Sequence, residues 1–145
     1  PLLYEVNMAT PKVVLDIKGL QQLKRTEPEK VARWLDSKAE GLVTDIKLSF
    51  NTSPPGRTYT RGGVSHTASQ EGYPPNVDIG TLRASMRWEP DGQFTRKIMD
   101  GVTYGIHLED GTERIAPRPF VQPAFKRLEK TIAADAKSEL GLEDL

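Results

Sequence analysis

The chain has 145 residues, carries 20 basic against 20 acidic side chains, and has no cysteine. That length suits a single domain, residues 1–145, with one modest core. The balanced charge lacks the basic excess of a dedicated nucleic-acid binder. The missing cysteine excludes disulfides, thiol catalysis and cysteine metal sites, and fits a reducing compartment.

The first ten residues, PLLYEVNMAT, lack the positive start and sustained apolar run of a signal peptide, and nothing in the chain approaches the ~20 apolar residues of a membrane span. They read as a weakly apolar lead-in that Pro11 breaks. Val13, Val14, Leu15 and Ile17 predict a short strand ended by Gly19.

Thr26 and Glu29 have capping-box spacing, and Pro28 falls where a first helical turn tolerates proline. Behind them Val31, Leu35, Ala39, Leu42, Ile46 and Phe50 recur at steps of three and four. This stripe predicts an amphipathic helix about 36 Å long at ~1.5 Å per residue. Trp34, Gly41 and Leu48 follow at heptad spacing on its flank. They are either ordinary core packing with one tolerated glycine or a second face for another subunit.

From residue 51 to residue 77 the periodicity stops, and the segment is rich in Pro, Gly, Ser and Thr. A structureless stretch of this length in a compact domain is usually functional or disordered. It is expected to be an extended loop or arm, in which Arg57, Tyr59, Arg61, His66 and Tyr73 are residue types that contact a partner. After it, Asp78 is placed to cap a short helix through Leu82 and Ala84. Met86 and Trp88 lead into a strand, Pro90-Asp91-Gly92 is a turn, and residues 94–99 form a second strand. Arg96 breaks its alternation and marks an edge. Asp100-Gly101 predicts a type I′ hairpin into a third strand carrying Val102, Tyr104 and Ile106.

Residues 104–125, YGIHLEDGTERIAPRPFVQPAF, read as a rigid corner that delivers a helix. Pro117 and Pro119 fix φ and remove donors, so the chain around Arg118 is extended. Pro123 fits only a first turn. The helix carries Val121, Phe125, Leu128, Ile132 and Ala136 on one face and ends at Gly141, leaving residues 141–145 as a loose acidic tail. The expected architecture is α+β: a small antiparallel β-meander packed against a long N-terminal helix and a C-terminal helix, with a long central loop.

No enzyme is indicated. Asp78-Ile79-Gly80-Thr81 resembles half of an aspartic-protease signature, but that chemistry needs a second carboxylate and Ile79 replaces the hydroxyl residue. His107, Glu109 and Asp110 offer possible ligands without the full set that a closed metal site needs. No phosphate-binding loop occurs. Neither a cofactor nor a metal is expected. Arg83, Arg87, Arg114 and Arg118 suit bidentate pairing with carboxylates, with Glu109 and Asp110 as acidic counterparts.

Three blocks together carry a resemblance. Gly80, Leu82, Arg83 and Ser85, behind Asp78, match D-T-G-x-L-R-x-S. Tyr104, Glu109, Gly111 and Thr112 match Y-A-x-x-x-E-x-G-T. Arg118, Pro119, Phe120, Pro123 and Ala124 match R-P-F-x-x-P-A. In this order they resemble the head–tail joining and tail-completion proteins of long-tailed bacteriophages, the minor tail protein Z-like group. The departures are Ile79 for threonine and Gly105 for alanine. The resemblance spans roughly residues 26–139. It implies a structural neck protein made in the bacterial cytoplasm and placed in the virion at the head–tail junction. There it would form a homo-oligomeric ring, six-fold or alternatively twelve-fold, between connector or stopper and tail-terminator or tail-tube proteins, with DNA passing unread. No membrane is involved. A tail terminator is the alternative within this class, and a small nucleic-acid-binding protein the alternative outside it. The flank Trp34, Gly41, Leu48 and the 51–77 arm are the expected subunit contacts.

Overall fold

The computed structural model describes residues 2–7, 10–76 and 80–142. The expected Asp78 and the end of the acidic tail, residues 143–145, lie outside them. The fold is α+β, built on two long helices, α2 (Pro28–Ser49) and α5 (Val121–Leu140). The N-terminal half of α2 shares a core with the C-terminal half of α5, and the reverse holds at the other end, so the two run antiparallel.

The α2 stripe is buried as its spacing predicts, at Val31, Ala39, Leu42, Ile46 and Phe50, with Leu35 half-buried. Each such side chain contributes ~1.5–3 kcal/mol when fully buried. The start of α2 differs from expectation. A separate helix, α1 (Leu20–Thr26), ends at Thr26, whose Oγ1 donates to the Gln22 carbonyl at 3.2 Å. Glu27 occupies the N-cap without a side-chain cap, so no capping box forms, and Pro28 opens the helix.

Trp34 is a second correction. Its ring is buried in the first core cluster with Leu20, Leu23, Val31 and Ile132. Its Nε1 donates to Glu139 at 2.6 Å. It holds α2 to α5 and presents almost no exposed surface. One turn on, the Lys38 ammonium lies between Asp135 (3.1 Å) and Glu139 (3.0 Å). Burial pulls its pKa down, but the hydrogen bonds and charges of Glu139 and Asp135 outweigh burial and hold it above 10.5.

Around the helices stand three two-stranded antiparallel ribbons. The first pairs β1 (Leu2–Asn7) with β2 (Thr10–Leu15) and lies on α5. Pro11 sits inside β2 opposite Val6 and does not break the segment, because an edge strand tolerates a missing donor. The second, β3 (Pro55–Arg61) with β4 (Val64–Ser69), falls within the stretch expected to be structureless. The third, β5 (Arg87–Pro90) with β6 (Arg96–Met99), lies on α2 after the short helix α3 (Thr81–Ser85). The expected third strand of the meander is absent. Val102 to Ile106 lead instead into α4 (Gly105–Asp110), and Tyr104 and Ile106 are 41% and 56% exposed. Alternation on that segment has no buried face to serve.

Arg96 does more than mark an edge. Its side chain is 9% exposed and its Nε donates to Asp36 at 2.5 Å. The same guanidinium donates to the carbonyls of Ala32 (3.2 Å), Gln93 (3.2 Å) and Thr95 (2.9 Å), tying the β5–β6 turn to α2. Lysine cannot reproduce that fork. Arg96→Lys is therefore expected to lower stability by ~1–3 kcal/mol in urea titration; an unchanged midpoint would show the fork to be dispensable.

Candidate functional site

The residues of the three motif blocks converge on one corner, between α4 and the start of α5. Gly111 follows α4 at φ 75°, and a side chain there would meet the Ile115 carbonyl at 2.8 Å and Pro117 at 2.9 Å. Thr112 closes the next turn. Its N–H donates to the Ile115 carbonyl at 2.8 Å, and its hydroxyl accepts from the N–H groups of Ile115 (3.1 Å) and Arg114 (3.2 Å). The chain then runs extended through Pro117 and Pro119. The Pro117 carbonyl accepts from Gly72 N–H at 2.8 Å, and Arg118 N–H donates to the Leu108 carbonyl at 2.6 Å.

Glu109 is the centre of this corner. Its Oε2 accepts from the N–H groups of Phe120 (2.8 Å) and Val121 (3.0 Å), and its Oε1 from Gln122 (2.8 Å). It caps α5 from eleven residues upstream, where no local side chain does so. Pro123, in the first turn, has no donor to satisfy. Phe120 is buried against Phe50, with ring centroids 5.6 Å apart. Gly80 takes φ 80° before α3, whose Leu82 is buried and whose Ser85 hydroxyl donates to the Leu82 carbonyl at 2.8 Å. Tyr104 stands at the N-cap of α4. Gly105 packs directly on the Asp100 carboxyl group, so the alanine of the related pattern would displace that side chain.

His107, Glu109 and Asp110, the possible ligands, all lie on α4, and both Glu109 oxygens are engaged by α5. Among the described residues no group of three or more His, Asp or Glu side chains could hold a metal ion.

The β3–β4 hairpin rises from this corner. Gly62 and Gly63 both have positive φ, 56° and 79°, which makes the two-residue type I′ turn between Arg61 and Val64. Gly56 lies so close to the Ser69 backbone that no side chain fits. One face pairs hydroxyls, Thr58 with Thr67 at 2.9 Å and Thr60 with Ser65 at 3.1 Å. The other carries Arg57, Tyr59 and Arg61 opposite His66 and Val64. Every residue of β3 is exposed. At the base, Ser69 is buried and its carbonyl accepts from Arg118 Nε at 3.3 Å.

The hairpin's Tyr59–Arg61–His66 face fronts a cleft whose other wall is Arg83, Tyr104, Arg114 and Arg118. The structure therefore gathers arm and motif residues that lie far apart in sequence. It leaves Gly41 and Leu48 elsewhere, exposed on α2, and Tyr73 exposed beyond β4. Ser69 is the site residue that the sequence conceals, because nothing distinguishes it among the serines and threonines around it. Among the described residues no helix is long and apolar enough to cross a membrane. No known protein family, curated protein or solved structure matches the chain.

Proposed function

We propose that the chain is a structural, non-enzymatic subunit of a long-tailed bacteriophage neck, made in the bacterial cytoplasm and assembled as a ring at the head–tail junction. The observation that carries this reading is the corner. The second and third of the blocks that resemble the tail-completion family meet there through backbone and carboxylate hydrogen bonds, and the first joins them by packing, with Leu82 in the same core cluster as Phe120. From that scaffold stands a hairpin with both faces exposed along β3. Isolated two-stranded hairpins are marginal in water, and open strand edges invite pairing with another chain. A subunit that completes its burial in a ring uses such an element well, since a ring needs two different patches meeting at each contact.

Native mass spectrometry and negative-stain microscopy of the purified chain test the ring, and gold labelling of virions tests the neck. A chain that stays monomeric at all concentrations and is absent from particles would end this reading. Replacing residues 57–67 with Asn-Gly shortens the hairpin above its anchored base. The variant is expected to keep its stability within ~1 kcal/mol, because the removed side chains are mostly exposed, and to lose the ring. An unfolded variant would make the hairpin part of the fold, and an intact ring would remove it from the interface.

A further inference from the structure

We propose that the cleft between the hairpin and the α3–α4 wall is a carboxylate-binding groove that receives the acidic segment following α5, Glu143 and Asp144, from a second copy of this chain. The groove is built for an anion. Arg61, Arg83, Arg114 and Arg118 line it, against the single carboxylate of Glu71 among its described lining residues. The side chains of Arg61 and Arg83 make no ion pair or hydrogen bond to any described residue. Arg118 commits only its Nε, to the Ser69 carbonyl. Guanidinium groups recognise carboxylates through paired N–H donors, so several arginines lining one cleft, with donors uncommitted among the described residues, favour that ligand.

The Ser69 side chain is an independent observation. The residue lines the groove at 1% exposure, and its Oγ has no hydrogen-bond partner. Buried hydroxyls without a partner are rare in native proteins, and each calls for an explanation such as strain, a functional role or a bound water or ion.

The same chain is a poor source of that group. Carboxylates on the helical faces are largely engaged already: Asp36 with Arg96, Asp45 with Arg127, Asp135 and Glu139 with Lys38. Glu143 and Asp144 follow the C-terminal end of α5, whereas Arg118 precedes its N-terminal end. A helix of 20 residues separates those ends by about 30 Å. Glu143 and Asp144 stand only three and four residues beyond Leu140, at no more than ~3.5 Å per residue. Delivery from a neighbouring copy joins the two ends of α5 head to tail, which is a heterologous contact and closes into a ring when the rotation allows.

This inference rests on the ring reading, and the experiment separates the two. Native mass spectrometry and light scattering compare the full wild-type chain with Arg83→Glu/Arg114→Glu, with Glu143→Arg/Asp144→Arg, and with all four substitutions combined. Circular dichroism checks that each folds, as expected for Arg83 and Arg114, whose side chains are exposed. Each double variant should shift the assembly midpoint by ~10-fold or more, and the fourfold variant, with its charges exchanged, should restore the wild-type oligomer. A wild-type monomer overturns ring and groove together. A wild-type ring that both double variants retain, or that the fourfold variant fails to restore, overturns the groove alone. Fluorescence anisotropy with a DNA duplex supplies the last arm. Salt-sensitive binding that Arg83→Glu/Arg114→Glu abolishes, with the ring intact, overturns the groove as a carboxylate site and makes it a phosphate site.

Discussion

Phe120→Ala is expected to destabilise the fold by ~3–5 kcal/mol, the range for truncating a fully buried aromatic ring. Phe120 is 1% exposed and sits where α2, α3 and α5 meet. Its ring lies 5.6 Å from that of Phe50 at 41°, a tilted arrangement that adds to simple burial. Leu42, Val43 and Ile46 of α2, Leu82 and Met86 around α3, and Ala124 of α5 complete the cluster. Ala124 is fully buried and Pro119 fixes the entry of the chain, so the backbone has little freedom to close the space that alanine would leave. The measurement is a urea or guanidinium titration with far-ultraviolet circular dichroism. A loss below ~1 kcal/mol would show that the site collapses or that Phe120 is not the anchor. Phe120→Leu keeps most of the volume and should cost less than half as much. Because no hairpin residue belongs to that cluster, the folded fraction of the variant should still assemble.

The two long helices were legible because each has one dry face. The 3.6-residue period of Val31 through Phe50 and of Val121 through Ala136 records that burial directly, and Gly141 ends α5 in the left-handed conformation with φ 73°. The β3–β4 hairpin was not legible as a strand pair for the opposite reason. Period-2 alternation appears only when one side of a strand is buried, and β3 is exposed throughout. Its one overt signal is Gly62-Gly63 between Arg-Thr-Tyr-Thr-Arg and Val-Ser-His-Thr, which is a hairpin turn once the demand for a buried face is dropped. The segment 102–106 failed in the other direction: Val102, Tyr104 and Ile106 alternate, yet only Val102 is even half-buried. The capping-box pattern at Thr26 and Glu29 failed because α1 already occupies Thr26. Heptad spacing puts Trp34 on the flank of α2, but an indole reaches further round a helix than a small side chain, and its N–H finds Glu139. The candidate site was legible only in its parts. Sequence order marked the corner residues but gave no sign that Arg118 reaches back 49 positions to Ser69.

Glu109→Ala is expected to lower stability by ~2–4 kcal/mol, a large effect for a residue that is not fully buried. Three backbone N–H groups, of Phe120, Val121 and Gln122, converge on its two oxygens at 2.8–3.0 Å. Each is an orphan donor at a helix start, and α5 has no acidic residue of its own in its first turn. Pro123 cannot donate, so this one carboxylate serves every free donor from Phe120 to Pro123. Its charge also lies at the positive end of the α5 dipole. Losing it leaves the donors to water where they are exposed and unpaired where they are not. Glu109→Gln separates the contributions. The amide keeps one acceptor oxygen for Phe120 and Val121, but presents its NH2 to the Gln122 N–H, donor against donor, and removes the charge. It should therefore lie between wild type and alanine, at ~1–2 kcal/mol. Glu109→Asp is one methylene shorter and should not recover the loss. Chemical denaturation orders the three variants. If Ala, Gln and Asp all fall within ~0.5 kcal/mol of wild type, α5 is capped by solvent and the carboxylate is incidental. If they follow the expected order, the Glu-x-Gly-Thr and Arg-Pro-Phe blocks are two halves of one cap. The spacing between them is then fixed by the reach of a glutamate from α4 to the first turn of α5.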